Sequence, residues 1–271
     1  MRFVNIQAVF LLIAIFMISC GESADTYIRT AEVKMKVEKY DEAVQELEKA
    51  IELNEKSYII WTLKGRAHFM NNNFQAALSD FDKAIELNPK AELAYYFRSL
   101  SRFYSGDINN AISDISKTIE INPSNDSAFV MRATYYSNID SLTVAENDLK
   151  RALELNPVNT QAYFEMGAVY VVVSEYEKAI EYYEKVVKLD PNFAEAYINM
   201  GVCYSELGDY MASVQSYSKA IELQPNLGLA YYNRAFSKVE LGDKIGACND
   251  WSKAGELGIT DAYTIINENC K

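Results

Sequence analysis

The chain has 271 residues, of which 49% are apolar and 24% charged, so it is long enough to bury a large folded core. Its formal charge at pH 7 is −12, from 26 Lys and Arg against 38 Asp and Glu. Because binding to nucleic-acid phosphates depends on clustered Lys and Arg, this balance argues against nucleic acid as a partner.

The N-terminal segment, residues 1–19, has the features of an export signal. Arg2 precedes an unbroken apolar run from Ala8 to Ile18. A helix needs about 20 apolar residues to span a bilayer, whereas the core of a signal peptide takes about 7 to 15. The run therefore predicts a cleaved signal peptide.

The end of this run, Met17-Ile18-Ser19-Cys20-Gly21, resembles the lipobox of bacterial lipoproteins, although Met17 stands where leucine is usual. The resemblance implies that Cys20 is lipidated and that residues 20–23 form a short tether. It places the protein in the bacterial cell envelope, anchored in the outer membrane and facing the periplasm or the cell surface. Several acyl chains on one cysteine give stable anchoring. The alternative is an ordinary secretory signal with a chance cysteine.

All five prolines of the chain lie 34 residues apart, at Pro89, Pro123, Pro157, Pro191 and Pro225. A fixed period in this range indicates stacked supersecondary units. The period divides the chain into seven repeats with no linker between them, at residues 24–57, 58–91, 92–125, 126–159, 160–193, 194–227 and 228–261.

Within each repeat, further columns of the same period predict two helices joined by a tight turn. The fourth residue of every repeat is aromatic and the eighth is small, which is helical spacing. The second half pairs a small residue with a bulky one, again four residues apart. Between the halves lies a column of residues that mostly tolerate left-handed backbone or bond their own backbone, namely Glu38, Asn72, Gly106, Asp140, Ser174, Gly208 and Gly242.

A 34-residue helical hairpin with an aromatic fourth residue, a small eighth residue and a proline near its end resembles the tetratricopeptide repeat (TPR). The segments AYINMG at residues 196–201 and AYYNRA at residues 230–235 carry the resemblance clearly. It covers residues 24–261 and implies an all-α fold. The expected architecture is an α–α superhelix, a right-handed TPR solenoid of seven helical hairpins, with residues 262–271 as a C-terminal capping helix.

The resemblance also implies a concave groove, lined by the second, fifth, sixth, ninth, twelfth and thirteenth residues of each first helix. The members that we predict to bind a peptide are Phe69, Met70, Tyr96, Phe97, Leu100, Phe103, Tyr104, Phe164, Asn199, Tyr232, Asn233 and Phe236. Aromatic side chains offer a large contact area with few rotors to fix. The amides of Asn199 and Asn233 can pair with both backbone groups of an extended peptide. The alternative is that part of this set packs between neighbouring repeats and that the two amides are solvated.

Groups for catalysis or metal binding are scarce. The only histidine, His68, lies in the second repeat, and repeats contact only their neighbours, so it cannot meet Cys203 in the sixth. No two His or Cys residues have metal-ligand spacing. Charged columns such as those of Lys83 and Glu86 are typical of a solvated face. We therefore predict no enzyme activity, no catalytic residues, no metal site and no cofactor.

The C-terminal cysteines predict a disulfide, because an exported protein lies where disulfides persist. Cys248 lies eleven residues before Ile259 and Cys270 eleven residues after it, so a turn at Ile259 would bring them opposite each other. The alternative is two buried thiols. Cys203 is expected to be a small core residue.

These observations favour a non-catalytic scaffold or adaptor at the bacterial envelope that binds a peptide segment of an envelope protein in its groove. Two alternatives remain open at this stage. One is a structural homo-oligomer that self-associates through the groove or an end cap, and the other is an envelope protein that binds a solute or glycan.

Overall fold

The structure of the protein is a computed structural model that describes residues 23–270. The predictions for residues 1–19, for lipidation of Cys20 and for most of the tether lie outside the described residues. The described residues form fifteen α-helices and no β-strand: α1 (Ala24–Lys36), α2 (Tyr40–Leu53), α3 (Tyr58–Met70), α4 (Phe74–Leu87), α5 (Glu92–Tyr104), α6 (Ile108–Ile121), α7 (Asp126–Ser137), α8 (Leu142–Leu155), α9 (Thr160–Val172), α10 (Tyr176–Leu189), α11 (Ala194–Glu206), α12 (Tyr210–Leu223), α13 (Gly228–Glu240), α14 (Lys244–Glu256) and α15 (Asp261–Asn269). None of these helices is long and apolar enough to cross a bilayer.

The helices pair into seven consecutive hairpins, from α1–α2 to α13–α14, and α15 follows the last of them. Each first helix begins at the first residue of a predicted repeat, as at Tyr58, Thr160 and Ala194. The predicted all-α class with seven hairpins and a terminal helix is therefore confirmed for the described part of the chain.

The chain divides into two compact units. The first unit ends at Pro123 and contains α1–α6, and the second begins at Ser124 and contains α7–α15. Inside each unit, the second helix of one hairpin packs against the first helix of the next. Each unit therefore has a continuous core built from adjacent hairpins.

The turn within each hairpin depends on one residue with left-handed backbone. The angle φ is positive at every member of the predicted turn column, from 56° at Asp140 to 84° at Gly106. Glycine adopts this conformation without strain, whereas a residue such as Ser174 is held there at a cost. Several second helices then begin on a capping side chain, as where Asp209 accepts a hydrogen bond from the backbone N–H of Ala212 at 3.0 Å.

Side chains of the two helices of a hairpin are matched in size at one contact, where the eighth residue of the repeat faces the twenty-fourth. Gly65 lies so close to Phe81 that a Cβ atom there would be 2.6 Å from the ring. In the first repeat, Ala31 and Leu47 occupy the same two positions, and both are fully buried. Glycine thus makes room for an aromatic ring, and the same pairing recurs for Gly167 with Tyr183 and Gly201 with Tyr217.

A column of buried carboxylates, which the sequence analysis did not identify, joins the helices of four hairpins. Each carboxylate accepts a hydrogen bond from a basic side chain of the first helix that lies 16 residues earlier in the chain. The pairs are Lys64 with Asp80, Arg98 with Asp114, Arg132 with Asp148, and Arg234 with Asp250. The contact is typically bidentate, as both Nε and Nη2 of Arg132 donate to Asp148 at 2.7 Å. A buried charge needs such a partner, so these pairs specify the helix register.

Three repeats lack this ion pair, and their residues show that the fold does not require it. The first repeat has Thr30 and Glu46 at the two positions, and Glu46 accepts a hydrogen bond from Lys34 instead. The fifth repeat has Met166 and Tyr182, and the sixth has Met200 and Ser216. Apolar or neutral side chains can thus replace a buried ion pair of similar volume.

The terminal helix α15 covers the last hairpin and is held there by a disulfide. Ala262 is fully buried, and Ile265 and Ile266 pack around Trp251 of α14. Cys248 and Cys270 are joined by a disulfide, with their Cα atoms 5.8 Å apart. The bond holds the end of α15 against α14, where it closes the apolar end of the second unit.

Candidate functional site

Each first helix has one stripe whose residues are mostly exposed or half-buried. Its buried members are Met35, Thr62 and Val130. At 3.6 residues per turn, the second, fifth, sixth, ninth, twelfth and thirteenth residues fall within a sector about 120° wide. On the other side of α5, Ala94, Ser99 and Ser101 are fully buried against the neighbouring helices. We call this stripe the open face of a first helix.

In the first unit the open faces of α3 and α5 are apolar except at Arg66. Met70 is 47% exposed and Tyr104 is 60% exposed, so both side chains are accessible to a ligand. Ile59 and Leu93, which the prediction omitted, are 50% and 57% exposed. Both occupy the second position of a first helix, so the same column rule could have identified them. Such side chains on adjoining helices form a surface that a partner could cover.

A hollow lies where the open faces of α3 and α5 adjoin. Its volume is about 450 Å³, and its walls include Tyr58, Ile59, Thr62, Leu63, Leu93 and Ala94. The charged residues Lys90 and Glu92 also line the hollow, but most of the lining side chains are hydrocarbon. The hollow is therefore suited to one or two apolar side chains of a bound segment.

Aromatic rings connect this face to the core. The ring of Tyr104 is stacked on Phe74, with centroids 5.6 Å apart, and it lies 5.9 Å from Phe69. Phe69 in turn lies 6.0 Å from Phe97, which faces the fully buried Phe81 at 6.3 Å. Phe69 and Phe97 therefore pack within the structure, and Tyr104 presents the exposed end of the cluster.

The remaining predicted residues of α5 are half-buried. Tyr96 meets the ring of Phe97 edge-on at 5.5 Å, and Phe103 meets Tyr104 in the same manner at 5.7 Å. Leu100 is also half-buried. These three side chains support the exposed residues and offer only part of their surface to a ligand.

In the second unit, the predicted aromatic residues differ in exposure. Phe164 is half-buried, with Phe193 at 5.1 Å. Tyr232 meets Phe236 edge-on at 5.1 Å, and Phe236 rests on Trp251 at 5.3 Å. Phe236 is exposed, so among the predicted aromatic residues of this unit it is the most available to a partner.

The two predicted asparagine residues are engaged by tyrosine hydroxyl groups. Asn199 donates from Nδ2 to the hydroxyl of Tyr183 at 3.3 Å. Asn233 makes a side-chain hydrogen bond with Tyr217, whose pKa is raised by burial and partly lowered again by this bond. The pKa of Tyr183 is likewise raised by burial. Each amide has further hydrogen-bonding capacity, but its orientation is set by the tyrosine rather than by solvent.

His68 and Cys203, the two residues that the sequence analysis considered as reactive groups, both lie in at least partly buried surroundings. His68 is half-buried beside Asp80, with Nε2 3.6 Å from Oδ2, and burial raises the pKa of Asp80 although Lys64 and His68 oppose the shift. Burial raises the pKa of Cys203 to about 11, which keeps this thiol protonated at neutral pH. Within residues 23–270, no three His, Cys, Asp or Glu side chains are grouped so that they could hold a metal ion.

Comparison with protein families finds three matches. A tetratricopeptide repeat model matches residues 28–92, a second matches residues 194–227, and a TPR repeat model matches residues 174–208. No curated protein sequence matches this chain.

Several solved structures are similar to this chain. The crystal structure of YrrB, described as a TPR protein with an unusual peptide-binding site, is 28% identical, with a TM-score of 0.54 over 68% of this chain and 95% of that one. A tetratricopeptide repeat protein from Parabacteroides merdae is 18% identical, with a TM-score of 0.71 over 93% of this chain and 100% of that one. A chain of the APC/C hetero-tetramer Cut9-Hcn1 is 15% identical, with a TM-score of 0.73 over 91% of this chain. The present chain spans 49% of that protein's length, and the last two likenesses concern the fold alone.

Proposed function

We propose that this chain, which belongs to the tetratricopeptide repeat family, is a non-catalytic scaffold that binds a segment of a partner protein on its open face. The TPR fold supports a role in protein–protein interaction, and proteins of this family are typically scaffolds without catalytic activity. The predicted α–α superhelical class agrees with the structures that the chain matches.

The observation that carries this proposal is the exposure of bulky apolar side chains on the open face of the first unit. Met70, Tyr104, Ile59 and Leu93 are about half exposed. Fully burying a side chain of this kind stabilises a complex by about 1.5–3 kcal/mol relative to leaving it in water. A partner that covers the hollow and Tyr104 would therefore gain several kcal/mol before the costs of association.

A peptide is the form of ligand that the comparisons support. YrrB is described as having a peptide-binding site, and it matches 68% of this chain at 28% identity. An extended or helical segment can lie along adjacent first helices and place alternate side chains in the hollow. We therefore propose a peptide segment rather than a small solute as the ligand.

The test uses peptides selected by display against the full chain and measured by fluorescence anisotropy. Tyr104→Ala and Met70→Ala should each weaken binding about tenfold, since anchors of an interface commonly contribute more than 1 kcal/mol. Leu53→Ala is the matched control, because Leu53 is 57% exposed but lies at the end of a second helix. The proposal is wrong if Leu53→Ala weakens binding and the two open-face variants leave it unchanged.

We further propose that the protein acts at the bacterial envelope, where lipid on Cys20 anchors it to the outer membrane. The support is the sequence alone: the apolar run from Ala8 to Ile18 and the Ser19-Cys20-Gly21 motif, which lie outside the described residues. The partner would then be another envelope protein.

Metabolic labelling with a fatty acid tests the anchor. The wild-type chain should incorporate label and fractionate with the outer membrane, whereas Cys20→Ala should carry no label and leave the membrane fraction. Cys203→Ala is the control, because Cys203 is buried in α11 and its replacement should leave labelling unchanged. Equal labelling of the wild type and Cys20→Ala would exclude a lipid at this cysteine.

A further inference from the structure

The charge on the open face of the second unit is of one sign. The open-face positions of α7, α9, α11 and α13 contain no Lys, Arg or His, and their only charged members are Glu165, Glu195, Glu206 and Glu240. None of the four forms an ion pair with a described residue. The open face of the first unit, by contrast, combines Arg29, Lys36 and Arg66 with Asp25 and Glu32. The second unit is therefore the part whose open face would attract a cation.

Glu165 is distinguished from the other three by its burial. Its side chain is half-buried and accepts a hydrogen bond from Gln161 at 2.7 Å. Burial raises the pKa of Glu165, and the hydrogen bond from Gln161 opposes the shift only in part. The buried carboxylates Asp148 and Asp250 of the same unit each accept hydrogen bonds from an arginine. Glu165 is thus partly removed from water but lacks the cationic partner that Asp148 and Asp250 have.

The surroundings of Glu165 provide a polar and aromatic setting for a ligand. The pKa of the Tyr183 hydroxyl is raised by burial first, then by Cys203, and to a smaller extent by the negative charge of Glu165. Asn199 donates to the same hydroxyl at 3.3 Å. Phe164, the residue before Glu165, has its ring 5.6 Å from that of Tyr183. The Asn199 amide and the ring of Phe164 therefore both contact the buried Tyr183, and Glu165 follows Phe164 on the same open face.

We infer that the open face of the second unit recognises a Lys or Arg side chain of the bound segment, with Glu165 as its counter-ion; this rests on the proposed function. A cation on the ligand would supply the charge-assisted hydrogen bonds that Glu165 lacks. The hydrocarbon stem of the Lys or Arg would lie against the half-buried ring of Phe164. Glu195, Glu206 and Glu240 add attraction at longer range, which favours basic segments over acidic ones.

The experiment measures binding of three fluorescent decapeptides to the purified full chain. The peptides alternate Leu with Arg, Leu with Gln, or Leu with Glu, so that they differ only in charge. We expect the arginine peptide to bind at least tenfold more tightly than the glutamine peptide, and the glutamate peptide to bind most weakly. The advantage of the arginine peptide should shrink as salt is raised, because the charges are partly exposed.

Two substitutions assign the effect to Glu165. Glu165→Gln should weaken binding of the arginine peptide about tenfold and leave the glutamine peptide unchanged, since a hydrogen bond to a charged group contributes about 1.5–3 kcal/mol. Glu181→Gln removes the same charge from the exposed side of α10 and should change neither peptide. Glu165→Lys should reverse the order and favour the glutamate peptide.

The outcomes separate this inference from the proposed function. If the arginine and glutamine peptides bind equally, or if Glu165→Gln behaves like Glu181→Gln, the inference is overturned while peptide binding on the open face stands. If none of the three peptides binds, both the inference and the proposed function are contradicted.

Discussion

The contact between Gly65 and Phe81 offers a quantitative test of how the hairpins pack. A Cβ atom on Gly65 would lie 2.6 Å from the ring of Phe81, which is fully buried and cannot move aside freely. Replacing glycine by alanine within a helix ordinarily stabilises it by about 1 kcal/mol. Overpacking a dense core costs about 1–3 kcal/mol. Because the approach is so close, we expect Gly65→Ala to lower the free energy of unfolding by about 2 kcal/mol in total.

The compensating change is Phe81→Leu, since the first repeat already combines Ala31 with Leu47 at these positions. Phe81→Leu alone should cost about 1.5 kcal/mol through the space it leaves. The double variant should be more stable than the sum of the two losses by about 2 kcal/mol, which is a coupling of the size seen for residues in contact.

The assay is urea unfolding of the full chain followed by circular dichroism at 222 nm. The wild type, the two single variants and the double variant are compared, and the slope of unfolding free energy against urea concentration should be the same for all four. If Gly65→Ala raises the free energy of unfolding by about 1 kcal/mol and the two changes are additive, helix propensity outweighs packing at this contact. The size-matching explanation would then be wrong.

Three further predictions concern the turn, a buried carboxylate and the terminal helix. Ser174→Gly should raise the free energy of unfolding by about 0.5 kcal/mol, because relief of the left-handed strain at φ 58° exceeds the added chain entropy; a loss of stability in urea unfolding would refute it. Burial raises the pKa of Asp80, so the native state holds this proton more tightly than the unfolded chain, and stability should fall as pH rises through the raised pKa. Asp80→Asn should flatten the pH dependence of the unfolding midpoint, and an unchanged profile would contradict the assignment. Cys270→Ser should destabilise α15 by about 3 kcal/mol, seen as faster hydrogen exchange at residues 261–269 with exchange in the first unit unchanged; unaltered exchange there would show that the disulfide is not what holds the helix.

The hairpins could be predicted from the sequence because each repeated column reflects a local structural requirement of the repeat, such as the backbone conformation of its turn. The turn column predicted left-handed backbone, and φ is positive at all of its members, including Glu38 and Asn72, which are not glycine. The ion-pair column was missed although its signal is present: Asp80 and Asp114 lie 34 residues apart, and each follows a basic residue by 16. Its role could not be deduced from charge alone, since burial separates these carboxylates from the solvated pair of Lys83 and Glu86.

The candidate site could be predicted only in outline. Phe97 and Tyr104 lie seven residues apart on one stripe of α5, yet Phe97 packs towards Phe81 and Tyr104 is 60% exposed. That difference depends on the side chains of the preceding hairpin, which a column rule does not contain. The amide of Asn199 is engaged because the preceding repeat has tyrosine, Tyr183, where the first, third and fourth repeats have an aliphatic residue.

Site-specific photo-crosslinking tests the central claim most directly. A photoreactive phenylalanine analogue is placed at Tyr104, on the open face of α5, or at Glu120, an exposed residue of the second helix α6. The display-selected peptide is then added to the full chain, and adducts are mapped by mass spectrometry. We predict an adduct from position 104 and none from position 120. An adduct from position 120 alone would place the ligand on the second helices and contradict binding on the open face.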